Sequence, residues 1–204
     1  MKRFGIVAGA AAGVAAMAGA GALMVGGALP SNAAVAPVAM VAAGNSPTMT
    51  YAMRYFNHSS EGYHASAVLP KTWRRVDLGD WQARFTDPTQ NRMVRFNTDY
   101  NVNISTTTAL KRKIAALKGT RGLHIVGTST VTMRSTTGQG PLTVSTLVYT
   151  YRSGSTTRWV ATRYVGQYGT KDAAIEITVA GAPTDSKLLG AVINHATQSI
   201  ALAG

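Results

Sequence analysis

Side chains able to do chemistry are sparse in this chain. Four histidines (His58, His64, His124 and His195) and eight carboxylates stand among 204 residues that include no cysteine. No histidine pair has a metal-ligand spacing such as H-x-x-x-H, and none has a carboxylate beside it on one face. The chain lacks a G-x-S-x-G elbow, and Ser153 and Ser155 are better explained as turn formers around Gly154. Asp77, Asp80, Asp87, Asp99, Asp172 and Asp185 fall mostly in turns or at a helix start, where aspartate has structural reasons to stand. Glu176 lies inside a predicted strand, with a cross-strand Arg or Lys as its expected partner. Gly166-Gln167-Tyr168-Gly169 reads as strand end and turn, not as a phosphate cradle. No catalytic residue, metal ligand or cofactor site is therefore expected. The rival is a hydrolase in which folding brings His64 and His124 together, since both sit in predicted strands.

What remains is a surface that could bind. Arg74, Arg75, Arg84, Arg92 and Arg95 come from one region, and Lys111, Arg112 and Lys113 from a predicted helix. Trp73 and Trp81 supply aromatic neighbours that could stack at a binding site. The bland reading is that the charges only solvate the surface and the tryptophans are core. A contiguous basic face favours binding, and a scattered one favours solvation.

Composition and the N-terminus indicate where such a surface would work. Lys and Arg number 20 against 8 Asp and Glu, a net charge of +12. Lys2 and Arg3 precede an uncharged run from Phe4 to Leu29, and Ser31-Asn32-Ala33 offers the small residues of a cleavage site. Residues 1–33 therefore read as a signal peptide cut after Ala33. The alternative is an uncleaved anchor through residues 4–29, because about 20 apolar residues can cross a bilayer. Without cysteine, lipid attachment at the cleavage site is excluded. Export sets the expected location as secreted or at the outer face of the cell envelope. The expected partners are then an anionic envelope polymer, an anionic lipid surface or an acidic protein, and export argues against nucleic acid. The leading expectation is an exported, non-enzymatic binding or accessory domain. A hydrolase directed at the envelope and a membrane-anchored scaffold are the alternatives.

These residues need elements to position them. Residues 34–50 are rich in Ala and Pro without a clean period and read as a flexible spacer, leaving 51–204 as one domain. Tyr51 to Phe56 alternates as an edge strand. Tyr63, Ala65, Ala67 and Leu69 alternate with His64, Ser66 and Val68, and Pro70 ends that strand. Trp73 restarts extended structure, Gly79-Asp80 turns it, Trp81, Ala83 and Phe85 alternate with Gln82 and Arg84, and Asp87-Pro88 turns again before Met93 to Phe96. Asn97 to Asn101 reads as a polar break. Hydroxyls at Ser105 to Thr108 then cap a helix over Ala109 to Lys118, with Gly119 ending it. Leu123–Met133, Leu142–Tyr151, Arg158–Tyr168 and the alternation at Ile175, Ile177 and Val179 form an antiparallel meander. A closing helix capped by Thr184 or Asp185 carries the stripe Leu188, Leu189, Val192, Ile193, Ala196 and Ile200, and should lie across one sheet face.

A Gly-Tyr strand ending in Leu69-Pro70, then Trp73, then Phe85-Thr86-Asp87-Pro88, a Thr-rich helix start, a meander and a closing helix together resemble the Mog1/PsbP-like α/β sandwich domains. The likeness is to exported versions from high-GC Gram-positive bacteria and covers about residues 55–202. The resemblance implies an α+β fold, a curved antiparallel sheet covered by two or more helices. It also implies a binding or accessory role without enzyme activity, and it brings no catalytic residue. Two departures stand out: the lipoprotein members carry a Cys and the kinase tails a kinase, and this chain has neither.

Overall fold

A computed structural model describes residues 49–59 and 62–202. The proposed leader, its cleavage site after Ala33 and nearly all of the 34–50 spacer lie outside the described residues. No helix among the described residues is long and apolar enough to cross a membrane.

The strands follow the two-residue period of the sequence. β1 (Tyr51–Ser59) pairs antiparallel with β2 (Gly62–Pro70), Phe56 opposite Ala65. In β2 the side chains of Ala65, Ala67 and Leu69 are buried while His64, Ser66 and Val68 stay half-buried. Next come β3 (Arg74–Asp77), β4 (Gln82–Thr86) and β5 (Met93–Asn97). The β4–β5 turn is fixed by the Asp87 carboxylate, which accepts from the Thr89 N–H at 2.9 Å and the Thr89 hydroxyl at 2.8 Å. Thr86 is thereby opposite Met93, which sets the register of everything behind it.

β6 (Asn101–Ser105) leads into α1 (Thr106–Ala116), where the Ser105 hydroxyl accepts the Thr108 N–H at 3.2 Å. The chain continues through β7 (His124–Arg134), β8 (Pro141–Ser153), β9 (Thr156–Gly166), β10 (Asp172–Ala173) and β11 (Ile175–Gly181). A 3-10 turn at Pro183–Asp185 precedes α2 (Ser186–Ser199), and β12 (Ala201–Leu202) follows.

The main sheet has seven antiparallel strands in the order β3-β4-β5-β11-β9-β8-β7. One face carries Phe85, Phe96, Val165, Ile177 and Val179 against Leu189, Val192 and Ile193 of α2 and the small sheet β1-β2-β12. Phe56 of that small sheet lies 4.6 Å from Phe96 and 5.6 Å from Phe85, ring centre to ring centre. Each fully buried aliphatic or aromatic chain of this kind contributes about 1.5–3 kcal/mol. On the opposite face Ala109 and Leu110 of α1 cover Leu147, Tyr149, Val160 and Tyr164 of β8 and β9. The fold is an α+β sandwich, as expected, and its sheets do not close into a barrel.

Three local expectations are corrected. The polar break stands at residues 98–100 but ends one residue early, because Asn101–Ser105 forms β6, a strand the sequence pattern did not suggest, which pairs with β10. The first helix starts at Thr106 and stops at Ala116, because Ser105 takes the cap and Thr106 is buried. Asp185 gives α2 no side-chain cap; its carboxylate accepts the Ala182 N–H and binds Arg92 instead.

Candidate functional site

Pairing register assigns every basic strand residue to a face. Val76 stands opposite Arg84, Arg84 opposite Arg95, Arg95 opposite Thr178, and Thr178 opposite Thr162, which faces Leu147. Directly opposed residues share a face, so this row belongs to the face on which α1 rests. Arg74, two residues from Val76, joins it diagonally to Arg84. Helix α1 packs on β8 and β9 and, at its start, on β6 and β10, and among the described residues no helix covers the β3-β4-β5 end. Lys111 and Arg112 are exposed and Lys113 half-buried on α1 itself. Arg74, Arg84, Arg95, Lys111, Arg112 and Lys113 thus gather on one side of the domain.

Arg75 and Arg92 do not join them. Arg75 donates to the Tyr55 carbonyl at 3.2 Å and pairs with Asp77 at 3.0 Å. Arg92 sits between Asp185 at 2.6 Å and Asp87 at 3.4 Å, tying the β4–β5 turn to the approach of α2. The Asp185 bond first, and then the charges of Asp185 and Asp87, outweigh burial and hold the Arg92 guanidinium above its ordinary value. Burial pushes the Asp87 carboxyl up, but the Thr89 hydrogen bonds and the Arg92 charge together bring it below the ordinary carboxylate range. Both arginines are structural ties here.

The tryptophans separate as well. Trp73 is 1% exposed and belongs to the core, which corrects its place in the expected surface. Trp81 is 45% exposed and stacks on His64 with ring centres 4.9 Å apart. The Trp81 carbonyl accepts the Thr98 N–H at 3.0 Å and the Thr98 hydroxyl at 3.2 Å, and the buried Asn57 side chain donates to that hydroxyl at 2.5 Å. This aromatic pair is on the β2 side of the sheet, away from the arginine row. The basic and aromatic parts of the expected surface are therefore not one patch.

His64, His124 and His195 do not converge. His64 belongs to β2 beside Trp81, whereas His124 opens β7, the opposite edge strand of the seven-stranded sheet. His195 lies on α2 against Tyr51, ring centres 4.2 Å apart. Among the described residues no group of three His, Asp or Glu is placed to hold a metal ion. The best-formed surface hollows, about 510 and 340 Å³, are lined around Thr132–Pro141 and between α1 and Thr128–Thr130, and neither is lined by a histidine.

Within the row, Arg84 and Arg95 are the least satisfied cations. Arg95 donates to the Gln82 side-chain carbonyl, and neither arginine has an ion pair among the described residues. The Nε–H of each is buried without an acceptor. Glu176, expected to meet a cross-strand cation, instead faces Asn97 and Tyr164, and only the Thr178 hydroxyl reaches it, at 3.4 Å. It is a diagonal neighbour of Arg95, since Thr178 lies between them in the row. Beside it Tyr164 is fully buried with its hydroxyl unpartnered; burial first, then the Glu176 carboxylate and Tyr100, pushes that phenol far above its ordinary value.

Residue spacing alone had not singled out Gln82 or the face assignment. The turn at Asp87 held the missing signal, because a Thr86–Met93 closing pair places Arg84 against Arg95 two residues further out.

No family model matches the chain. No curated protein matches it either. Among solved structures it is similar to LpqN of Mycobacterium tuberculosis, described as involved in cell envelope biogenesis, at 14% identity and a TM-score of 0.49 over 76% of this chain and 92% of that one. It is also similar to PA94 of Pseudomonas aeruginosa, a protein of unknown function, at 12% identity and a TM-score of 0.47 over 76% of this chain and 98% of that one. At these values neither likeness carries an argument about what this chain does.

Proposed function

We propose that this is an exported, non-enzymatic binding domain of Mog1/PsbP-like architecture that holds anionic material at the cell envelope through its α1-bearing face. The observation that supports it most is Arg84 directly opposite Arg95, on a face of that end of the sheet that no helix among the described residues covers. Like charges directly opposed on a strand pair are unfavourable, so folding alone gives no reason to place them there. Arg74 beside them, and Lys111, Arg112 and Lys113 of α1 further along the same face, extend the positive field, and a basic face of this kind draws anionic partners from solution. The uncharged leader-like run from Phe4 to Leu29 and the small residues before Ala33 support export.

Retention of the full chain on isolated cell-envelope fragments as sodium chloride is raised tests this reading. Charge-driven attachment weakens steadily with salt, because exposed charges are screened beyond about 8–10 Å at physiological ionic strength. Retention that ignores salt, or no retention at all, would contradict it.

A further inference from the structure

We propose that Arg84 and Arg95 together form a binding site for a phosphate group. The proposal rests on the binding reading above and names the chemistry of its ligand. Their positions on β4 and β5 are directly opposed, which brings the two Cβ atoms to about 5 Å. Two guanidinium groups thus stem from adjacent positions on one patch of sheet, that of Arg95 reaching the Gln82 side chain. Each carries five N–H donors and cannot shed its charge at neutral pH. Arg95 commits one donor group to Gln82, and Arg84 has no hydrogen-bond or ion-pair partner among the described residues.

The choice of phosphate over carboxylate follows from counting. A carboxylate has two oxygens and one charge, and a single fork satisfies it bidentately. A phosphate presents three or more oxygens and as many as two charges, so two forks carried on Cβ atoms about 5 Å apart can engage it together. Arg74, diagonal to Arg84 on the same face, adds a third positive charge at the edge. Glu176 faces the site diagonally from beyond Arg95 and is the one carboxylate the register places next to the row.

The ligand chemistry could belong to free phosphate or to a phospholipid headgroup, and the experiment separates them. Inorganic phosphate is titrated calorimetrically into the full chain and into the variants Arg84→Gln, Arg84→Lys and Arg134→Gln, the last at an exposed arginine of β7 on the opposite edge of the sheet. The site predicts binding that Arg84→Gln weakens roughly tenfold to a hundredfold, as loss of charge-assisted hydrogen bonds does. Arg84→Lys, which keeps the charge and loses the fork, should also weaken it, and Arg134→Gln should not. Far-UV circular dichroism checks that each variant is folded; if the Gln form is not, the Lys form decides.

Wild-type chain that binds no phosphate, or Arg84 variants that bind it as well as wild type, overturns the site. In that case salt-sensitive retention on envelope fragments still leaves the binding reading standing. Conversely, phosphate binding that depends on Arg84, without retention on envelope fragments, keeps the site and removes the envelope reading. Displacement of the chain from phosphatidic acid vesicles, whose phosphomonoester headgroup keeps three free oxygens, by inorganic phosphate assigns the headgroup to the same pair. Phosphate binding without vesicle binding assigns free phosphate, and both outcomes support the site.

Discussion

Arg84 on β4 and Arg95 on β5 stand directly opposite one another, and neither is ion-paired among the described residues. Opposed like charges work against the sheet that carries them. A variant that removes one should therefore fold more tightly while binding less. Arg84→Thr is expected to raise the unfolding free energy by a few tenths to about 1 kcal/mol at low salt, with the gain shrinking as salt screens the pair. Urea unfolding at two salt concentrations measures it. A loss of stability at both would mean that the pair is held by contacts that serve the fold.

Arg163 presents the opposite case. Its guanidinium is packed on α2, donating to the Ile193 carbonyl at 3.2 Å, the Thr197 hydroxyl at 3.0 Å and the Asn194 side-chain carbonyl at 2.7 Å. Among the described residues no carboxylate pairs with it, and burial pushes its pKa down to about 10. Replacing a poorly compensated buried charge with an apolar chain of similar length is often neutral or stabilising. Thr197 also donates to the Ile193 carbonyl, at 2.6 Å, so that group keeps a partner. Arg163→Met should change the unfolding free energy by less than about 1 kcal/mol or raise it. A loss of about 3 kcal/mol or more in urea unfolding would show that the three hydrogen bonds dominate.

Asp87 links stability to acid. Its carboxyl titrates below the ordinary 3.8 in the fold, so it is more readily ionised folded than unfolded. The stabilisation is present above that ordinary value and is lost as pH falls through the lower folded one. Asp87→Asn should cost about 1 kcal/mol at neutral pH through its weakened hydrogen bonds. It should also flatten the stability curve below pH 3.8, where wild type keeps falling. Chemical unfolding across pH 2 to 7 reads both effects, and parallel curves would refute the link.

Gly166 ends β9 where the chain doubles back to β10. A Cβ there would come within 2.5 Å of the Thr170 carbonyl oxygen and 2.8 Å of that of Asp172. Both are backbone atoms, which cannot swing aside as a side chain would. Gly166→Ala should destabilise by about 1–3 kcal/mol, the usual cost of forcing atoms into a filled space. A melting temperature equal to wild type would show that the turn relaxes freely.

Much of the sheet could be read from alternation and turn residues. Ala65, Ala67 and Leu69 face the core as their spacing requires, and β7, β8, β9 and β11 are neighbours in the expected order. The small sheet could not be read that way: the two-residue strand Ala201–Leu202 pairs with β2 across more than a hundred residues, and so short a strand has no period. Site residues were legible by type but not by side. Arg75 is one residue from Arg74, and this single step turns it to the other face, where Asp77 and the Tyr55 carbonyl take it up. Likewise Arg92 resembled its neighbours until folding brought up Asp185 from far along the chain. Trp73 and Trp81 differ only in which packs beneath the small sheet, a tertiary fact.

We propose that the Arg84–Arg95 pair is the part of this domain that meets anionic material. The most direct test is the affinity of the full chain for phosphatidylglycerol vesicles over a range of salt, compared with a double variant carrying Arg84→Gln and Arg95→Gln. The expected result is strong salt dependence for wild type and a weaker, flatter dependence for the double variant, with the fold intact by circular dichroism. Superimposable curves for the two chains would contradict the account.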